Sequence, residues 1–425
     1  MTGSVRKRGN TWSYYFDMGK IDGKRQKKEK GGFATKAEAE AALHKAISEY
    51  NNAGSVFEPN EITVSDYLDQ WFELYCIPNL KYNTQLGYHD IIRLHLKPAF
   101  GHYKLKALSP AVIQKYANDL KFNGYSKSHI VGILSTFGAA LKYAVEPLHY
   151  ISSSPMVYIK YPKVEKKPKE RIILTLEDWQ RIIERFPPES RYHIPLMIGF
   201  YTGLRISEVF ALTWDDIDLD ERTLTVSKQV AKRNYGNDIK KTKAKKRSKA
   251  PSSSWYFAST KTKTSYRTVK FGETLHRALK EEKIRQAKNE LKYGDMYAIQ
   301  VISPETDEKS NRIERIVSIK KCVGSQLPRA HMVCVAENGE YTTSDSFKYC
   351  ARIIHHELQL AFDFHSLRHT HATILVESGA DIKNVQTRLG HANIETTLQT
   401  YVHDTNKMSD RSVDIFEQIT AQKTS

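Results

Sequence analysis

The spacing of hydrophobic and polar positions differs between three parts of the chain, and each spacing predicts a different structure. In the first part, the aromatic run at residues 11–16 is typical of a strand, and a turn at residues 22–24 leads into a second, basic strand. Thr35 and Glu38 have the spacing of a capping box, which predicts a helix reaching about residue 52. These elements form a small unit of strands and one helix.

The second part, residues 60–160, carries apolar positions at helical spacing in four runs. Thr63, Thr84, Ser109 and Ser126 stand at the predicted starts of the four helices. Four helices of this length predict a compact bundle. Residues 155–169 then combine three prolines with five lysines, which predicts an extended linker and a domain boundary.

The third part, from residue 170 onward, mixes helices with short strands. Thr175 is a predicted helix cap, and Gly203 allows a sharp turn after the apolar helix at residues 192–201. A later helix is predicted to start at Ser366, and another ends at Gly390. The chain is therefore expected to be an α+β protein of three domains, residues 1–57, 60–160 and 170–425.

Two segments of the third part have no assigned role. Residues 228–249 hold ten Lys and Arg residues and one acidic residue, which predicts a weakly ordered loop or a hairpin ordered by DNA. Residues 293–326 are polar, with weak strands and no chemical motif.

Charge narrows the class of partner. The 425 residues include 65 Lys and Arg against 48 Asp and Glu, a formal net charge of +17. This excess favours nucleic acid over a membrane as the partner. The four cysteines form no paired motif, and no apolar run approaches the thickness of a bilayer. We therefore expect a soluble, intracellular protein.

The candidate chemistry is concentrated near the end of the chain. A tyrosine, Tyr401, is a possible covalent nucleophile, and Arg368 can hold a phosphate with two parallel hydrogen bonds. Together they suggest attack on a phosphodiester. Arg205 would lie at a helix start after Gly203, with Glu208 on the same helix face. The alternative interpretation of Arg205 and Glu208 is an ordinary surface ion pair.

The joint order of five segments resembles the tyrosine recombinase (phage integrase) family. They are TGLRISE at residues 202–208, KTK at 261–263, HSLRHTHA at 365–372, LGH at 389–391 and TTLQTY at 396–401. The resemblance implies an arm-type DNA-binding domain, a helical core-binding domain and a mainly α catalytic domain with a small antiparallel sheet.

The resemblance also implies a role for each motif residue. Tyr401 would attack the scissile phosphate and form a 3′-phosphotyrosyl bond, while His365 would accept its proton. Further roles are implied for five other residues: Arg205 and Arg368 would clamp the phosphate, His391 would donate to it, Glu208 would support the site, and Lys261 would protonate the leaving 5′-oxygen. Lys263 is the alternative candidate for this acid. The alternative interpretation of both lysines is that they lie in a solvated turn without a catalytic role. No metal or cofactor is implied, because the arginines supply the positive charge.

DNA contacts are expected in the first domain as well. The strands carry basic residues beside aromatic ones, which fits a sheet face that binds DNA or, alternatively, an aromatic core with solvated lysines on the other face. The predicted contacts are Arg6, Lys7, Arg8, Trp12, Tyr14, Lys24, Arg25 and Lys27. The implied partners are core and arm attachment sites, a homotetramer on DNA with a Holliday junction intermediate, and an excisionase or host DNA-bending protein.

Other classes fit the sequence less well. A type IB topoisomerase needs no arm-like DNA contact, a non-catalytic regulator would have lost some of the six site residues, and a chromosome-dimer resolvase would normally lack the first domain. The integrase of a phage or conjugative transposon is therefore the favoured interpretation. The amphipathic residues 412–419 would dock on a neighbouring subunit and restrain Tyr401 until the tetramer assembles.

Overall fold

The protein divides into two compact units, residues 1–165 and 166–425. This computed structural model describes residues 3–9, 11–21, 24–53, 62–164, 171–234, 253–260, 265–307, 310–393 and 395. Tyr401, Lys261, Lys263 and the segment 412–419 lie outside these residues, so their predicted roles stay predictions. The predicted boundaries between three domains also stay predictions.

The first unit begins with a three-stranded antiparallel sheet in the order β1-β2-β3. Its strands and the helix that packs on them are β1 (Gly3–Arg8), β2 (Thr11–Ile21), β3 (Lys24–Phe33) and α1 (Lys36–Ala53). Tyr14, Phe16, Leu43 and Ala46 form the core between sheet and helix. Tyr14 is only 3% exposed and its ring stacks on Phe16, so its prediction as a DNA contact is wrong. The inward face of an alternating strand placed it in the core.

The remainder of the first unit is helical. Its helices are α2 (Val64–Trp71), α3 (Ile77–Asn79), α4 (Tyr82–Ile91), α5 (Lys97–Phe100), α6 (Pro110–Phe122) and α7 (Lys127–Val145). The helix predicted to start at Thr84 instead starts at Tyr82, because Gln85 donates to the carbonyls of Ile77 and Leu80 and closes the preceding turn. Two π-helical segments, Phe72–Cys76 and Ile92–Leu96, join α2 to α3 and α4 to α5.

Helix α7 is the centre of this bundle. Ser126 caps it through a hydrogen bond from the backbone N–H of His129, as its sequence position predicts. Phe137 stacks on Phe100 at 4.9 Å, and the hydroxyl of Tyr67 donates to the carbonyl of Ala140. Within the described part of the chain, α7 alone has the length and apolar composition of a membrane span. Its buried face makes the contacts of a core helix.

The second unit contains seven helices among its described residues. They are α8 (Leu176–Arg185), α9 (His193–Thr202), α10 (Ile206–Val209), α11 (Glu273–Tyr293), α12 (Phe347–Glu357), α13 (Phe364–Glu377) and α14 (Ile382–Leu389). Helix α9 is apolar on all sides and is therefore the central helix of the core. Trp179 of α8 stacks on Phe200 of α9 with ring centroids 3.9 Å apart.

Two antiparallel sheets complete the second unit. The smaller has the order β4-β5-β8 and consists of β4 (Ile217–Asp218), β5 (Thr223–Val226) and β8 (Arg267–Lys270). The larger has the order β11-β9-β10-β7-β6. Its strands are β6 (Lys228–Asn234), β7 (Ser253–Ser259), β9 (Ala298–Thr306), β10 (Arg312–Lys320) and β11 (Arg329–Ala330).

The larger sheet contains the described part of one unassigned segment and most of the other. Residues 228–249 are predicted as a weakly ordered loop or a hairpin ordered by DNA, and residues 235–249 lie outside the described residues. Residues 228–234 are an edge strand paired along its length with β7. The weak strands predicted within residues 293–326 are β9 and β10, and β10 pairs with β7. The two segments belong to one sheet because β7 pairs with β6 on one side and with β10 on the other. Lys232 pairs with Asp345 and lies over the ring of Trp255, so part of the basic character of residues 228–234 is neutralised locally.

Candidate active site

Arg205 is placed by a tight turn after the central helix. Gly203 ends α9 in the left-handed conformation (φ +69°), and a Cβ at this position would lie 2.9 Å from His371 Cδ2. Arg205 then caps the short helix α10. Its Nη1 donates to Glu208 Oε1 at 2.8 Å, and its backbone N–H donates to Glu208 Oε2 at 2.9 Å. Glu208 is 2% exposed, so the alternative of a surface ion pair is wrong.

His365 and Arg368 lie on α13, which begins earlier than predicted. Asp363 caps the helix by accepting from the backbone N–H of Ser366, so Ser366 is inside the helix and not its start. Consequently His365 and Arg368 are one turn apart on a common face. Arg368 is 1% exposed, and it donates from Nη1 to the carbonyl of Gly203 and from Nη2 to that of Leu389, both at 2.8 Å.

His391 follows the turn at the end of α14. Gly390 has the left-handed conformation (φ +68°) that the sequence predicts for the residue after this helix. Its carbonyl accepts from Arg205 Nη2 at 3.2 Å. Gln386 holds the backbone of His391 at both polar groups, accepting from its N–H through the Gln386 carbonyl and donating from Nε2 to its carbonyl at 2.9 Å. Arg205 and Arg368 therefore both contact the turn that carries His391.

The imidazoles of this site are held in the neutral form. Burial, followed by the charge of Arg368, lowers the pKa of His365 below its ordinary value of 6.5. Burial, then Arg368 and Arg205, lowers the pKa of His391 to about 4. A neutral imidazole can accept a proton at one nitrogen and donate from the other. Two guanidinium groups beside two neutral imidazoles can hold an anionic phosphate and move a proton at its edge.

Three further residues contribute that sequence reasoning assigned no role. Arg267, at the start of β8, donates from Nη2 to Glu208 Oε2 at 2.9 Å. Arg388 donates from Nε to His371 Nε2 at 2.9 Å, and His371 Nδ1 lies 2.8 Å from the carbonyl of Phe200. This pair of contacts fixes His371 as the tautomer protonated at Nδ1. The position of Arg388 directly before the LGH segment was the one sequence feature that could have drawn attention to it. That position does not indicate that His371 is its hydrogen-bond partner.

The basic surface of the first unit is exposed. Arg6 donates to both carboxylate oxygens of Glu29 at 2.7 and 2.8 Å, and Arg8 Nη2 lies 3.3 Å from Glu29 Oε1. Lys7 and Lys27 are exposed and Trp12 is half-buried. Lys24 and Arg25 lie in β3, but their side chains are not among those described. The described charged side chains of the predicted set, Arg6, Lys7, Arg8 and Lys27, are exposed.

The described residues contain no group of three or more His, Cys, Asp or Glu side chains arranged to hold a metal ion.

Comparison with known families matches all three parts of the chain. The model described as "Phage integrase family" matches residues 172–408, which include Arg205, His365, Arg368, His391 and Tyr401. A "Phage integrase, N-terminal SAM-like domain" matches residues 63–121, and an "Arm DNA-binding domain" matches residues 4–50.

Individual proteins agree with these family matches. A "Tyrosine recombinase XerC-like" protein of Caldanaerobacter subterraneus subsp. tengcongensis is 26% identical over 386 residues, covering 89% of both chains. A fragment of the Tn1549 transposon integrase, solved in complex with a circular intermediate DNA, aligns with a TM-score of 0.60 at 20% identity over 84% of this chain and 100% of that one. A lambda integrase, solved as a tetramer bound to a Holliday junction, aligns with a TM-score of 0.52 at 14% identity over 95% of this chain and 96% of that one. The fold is therefore that of a tyrosine recombinase.

Proposed function

Because the chain belongs to the phage integrase family, we propose that it is the integrase of a mobile genetic element and that Tyr401 is its nucleophile. Tyr401 attacks a phosphodiester, leaving a 3′-phosphotyrosyl bond and a free 5′-hydroxyl. A 5′-hydroxyl from a second DNA then attacks this bond and releases the tyrosine. Because each phosphodiester is replaced by another ester bond, the cycle needs no external energy source.

The observation that carries this proposal is that Arg205 and Arg368 both contact the turn that carries His391, while His365 lies one helical turn before Arg368 on α13. Arg368 is fully enclosed and its Nη atoms are fixed by two carbonyls, so its charge is oriented before the substrate arrives. Preorganised donors of this kind stabilise charge that develops in a transition state, and removal of one typically costs about 10²–10³-fold in rate. The two arginines would hold the non-bridging oxygens of the scissile phosphate.

His365 is the proposed proton acceptor for Tyr401. A tyrosine with an unperturbed pKa of about 10 is protonated at neutral pH, so it needs a base to become a nucleophile. The lowered pKa of His365 keeps its imidazole neutral and able to accept that proton. His391, which is neutral for the same reason, would donate a hydrogen bond to a phosphate oxygen.

Lys261 is the proposed acid for the departing 5′-oxygen, with Lys263 as the alternative. Both precede Ser265, whose carbonyl accepts from Arg267 at 3.0 Å, and Arg267 contacts Glu208. The segment that carries the lysines is thus followed by a residue fixed to the arginine site. The contact between Ser265 and Arg267 supports a position of one of these lysines near the phosphate, but it does not distinguish Lys261 from Lys263.

The proposed partners are double-stranded core and arm attachment sites, bound by a homotetramer. The match to an arm DNA-binding domain supports two classes of DNA site, and the alignment with a tetrameric lambda integrase on a Holliday junction supports pairwise strand exchange. An excisionase or host DNA-bending protein would set the direction of the reaction. The bacterial nucleoid is where such a DNA substrate lies.

Covalent capture tests the proposal. The protein and its Tyr401→Phe variant are each incubated with sheared host and element DNA in EDTA, denatured, and the protein-linked fragments are sequenced at their ends. We expect the wild-type protein to yield adducts at a few reproducible sites through a 3′-phosphate, and Tyr401→Phe to yield none.

Two results would contradict the proposal. Adducts that persist in Tyr401→Phe would remove this residue as the nucleophile. Specific DNA binding without adducts, even on a nicked substrate that traps the cleaved state, would favour a non-catalytic DNA-binding protein of the same fold.

A further inference from the structure

Arg267 connects three segments that are far apart in the sequence. It is 6% exposed, at the first position of β8. Its Nε donates to the carbonyl of Arg388 at 2.7 Å, and its Nη1 donates to the carbonyl of Ser265 at 3.0 Å. Its Nη1 and Nη2 donate to the two carboxylate oxygens of Glu208 at 3.3 and 2.9 Å. One buried side chain thus joins the sheet, helix α10 and the last turn of α14.

The first consequence concerns Arg205. Glu208 stands between the two arginines, and its carboxylate accepts from Arg267 on one side and from Arg205 on the other. Burial alone would raise the pKa of Glu208, but the hydrogen bond and charge of Arg267, with those of Arg205, hold it below its ordinary value. Without Arg267, this carboxylate would lose its fork-shaped partner, and Arg205 would lose a fixed acceptor.

The second consequence concerns His391. The guanidinium of Arg267 lies directly under the turn at Gly390, where a Cβ would stand 3.0 Å from Arg267 Nη1. The same turn accepts from Arg205 through the carbonyl of Gly390. Arg267 and Arg205 therefore both contact this turn, and Arg205 is the one of the two that belongs to the active site.

We propose that Arg267 is a positioning residue for DNA cleavage: it sets Arg205 through Glu208, sets His391 through the turn after α14, and ties both to the strand that follows the KTK segment. It contacts no reacting atom. The inference deepens the proposed function and rests on it, because it assumes that Arg205 and His391 act on a phosphate.

Single-turnover cleavage of a nicked duplex, carrying a site recovered by covalent capture, tests this role. Arg267→Gln removes the charge, and Arg267→Lys keeps the charge without the fork. The matched control is Arg185→Gln, because Arg185 makes an equally short two-point contact with Glu357 on the surface of the same unit. DNA affinity and thermal unfolding are measured for each variant.

We expect Arg267→Gln to slow cleavage about 100-fold, the scale of losing one oriented donor, with DNA affinity within about threefold of wild type. Arg267→Lys should be intermediate, and Arg185→Gln should match wild type. Arg267→Gln should also move the acid limb of the cleavage rate to higher pH, since Glu208 would then be harder to ionise. Arg205 and His365 also carry or take up charge near Glu208, and burial first, with the charge of Arg267 among the further causes, lowers the pKa of His391. Glu208→Gln combined with Arg267→Gln should therefore abolish the part of the displacement that is due to Glu208.

The possible results separate clearly. No adduct from the wild-type protein would remove the proposed function itself. Normal wild-type cleavage with an equally active Arg267→Gln would remove the positioning role. A slow Arg267→Gln with an unmoved acid limb, and with affinity and melting temperature lowered in proportion, would reduce Arg267 to a structural residue. If Arg267→Gln does not fold, the folded Arg267→Lys decides the same points.

Discussion

Arg368 in the active site and Arg6 in the N-terminal sheet carry the same guanidinium in opposite surroundings. Arg368 is 1% exposed and donates to backbone carbonyls, which cannot move away from it. The Arg6 side chain is 46% exposed; it pairs with the half-exposed Glu29 and lies over the ring of Tyr15. Both groups have two short contacts, so contact distance alone does not separate them. Burial and the rigidity of the acceptor decide which arginine is fixed before DNA binds.

Replacing each arginine by lysine should give the largest difference between the two regions. Arg368→Lys loses the fork that spans Gly203 and Leu389, so we expect cleavage of a core site to fall about 10²–10³-fold. It should also lower the free energy of unfolding by about 1–3 kcal/mol, because buried carbonyls lose donors. Arg6→Lys should leave both quantities almost unchanged, since exposed ion pairs contribute about 0–1 kcal/mol. Single-turnover cleavage and denaturant unfolding measure the two effects.

An equal loss of cleavage in Arg6→Lys would contradict this contrast, because it would give the exposed arginine a role in the chemical step. The core-site substrate must lack arm sequences, so that arm binding does not contribute to the rate.

Two glycines sharpen the contrast at the level of the backbone. Gly390 (φ +68°) and Gly9 (φ +57°) both have left-handed conformations. A Cβ at Gly390 would lie 3.0 Å from Arg267 Nη1, whereas one at Gly9 would meet none of the described residues within 4 Å. Alanine should therefore cost about 1–2 kcal/mol from backbone strain at either site. Only Gly390→Ala should also displace Arg267 and reduce cleavage, by about tenfold or more. Comparable cleavage rates in both alanine variants would show that Arg267 can move away from residue 390 without slowing cleavage.

The contrast also shows how far the sequence could go. The motif spacing located Arg205 after the turn at Gly203 and His391 after the turn at Gly390, because each turn is a local property of a few residues. It placed His365 before a helix that in fact begins at Phe364. The role of Arg267 was not predictable, since its partners lie 59 and 121 residues away along the chain. The pairing of strands in the larger sheet was not predictable for the same reason, because strands that are far apart in the sequence carry no local pattern that identifies their partners.

The pH dependence of stability provides a third test of the buried region, through the titration of His371. Burial, followed by the charge of Arg388, lowers the pKa of His371 to about 4 from 6.5. A histidine with a depressed pKa in the folded state contributes stability that is complete above about pH 6.5 and is lost as pH falls towards 4, since the unfolded chain then binds the proton first. The melting temperature of the full chain should fall across this range. His371→Gln should flatten the fall, although it should also lower the melting temperature at pH 7.

An unchanged slope in His371→Gln would mean that His371 is not the neutral acceptor of Arg388 that the contacts indicate. His391, with a pKa of about 4 in the folded state, has the same sign and would keep part of the slope in the variant.

The smallest expected effect belongs to the exposed sheet. Glu29 neutralises Arg6 and lies within 3.3 Å of Arg8, so it competes with any phosphate that these arginines contact. Glu29→Gln should therefore strengthen binding to arm-site DNA by up to about threefold and steepen the salt dependence of the binding constant by at most about one unit per released contact. The free energy of unfolding should change by less than about 1 kcal/mol, because the pair is exposed. Weaker binding in Glu29→Gln would show instead that the carboxylate orients Arg6 for DNA, which would make this arginine resemble the fixed guanidinium of the active site.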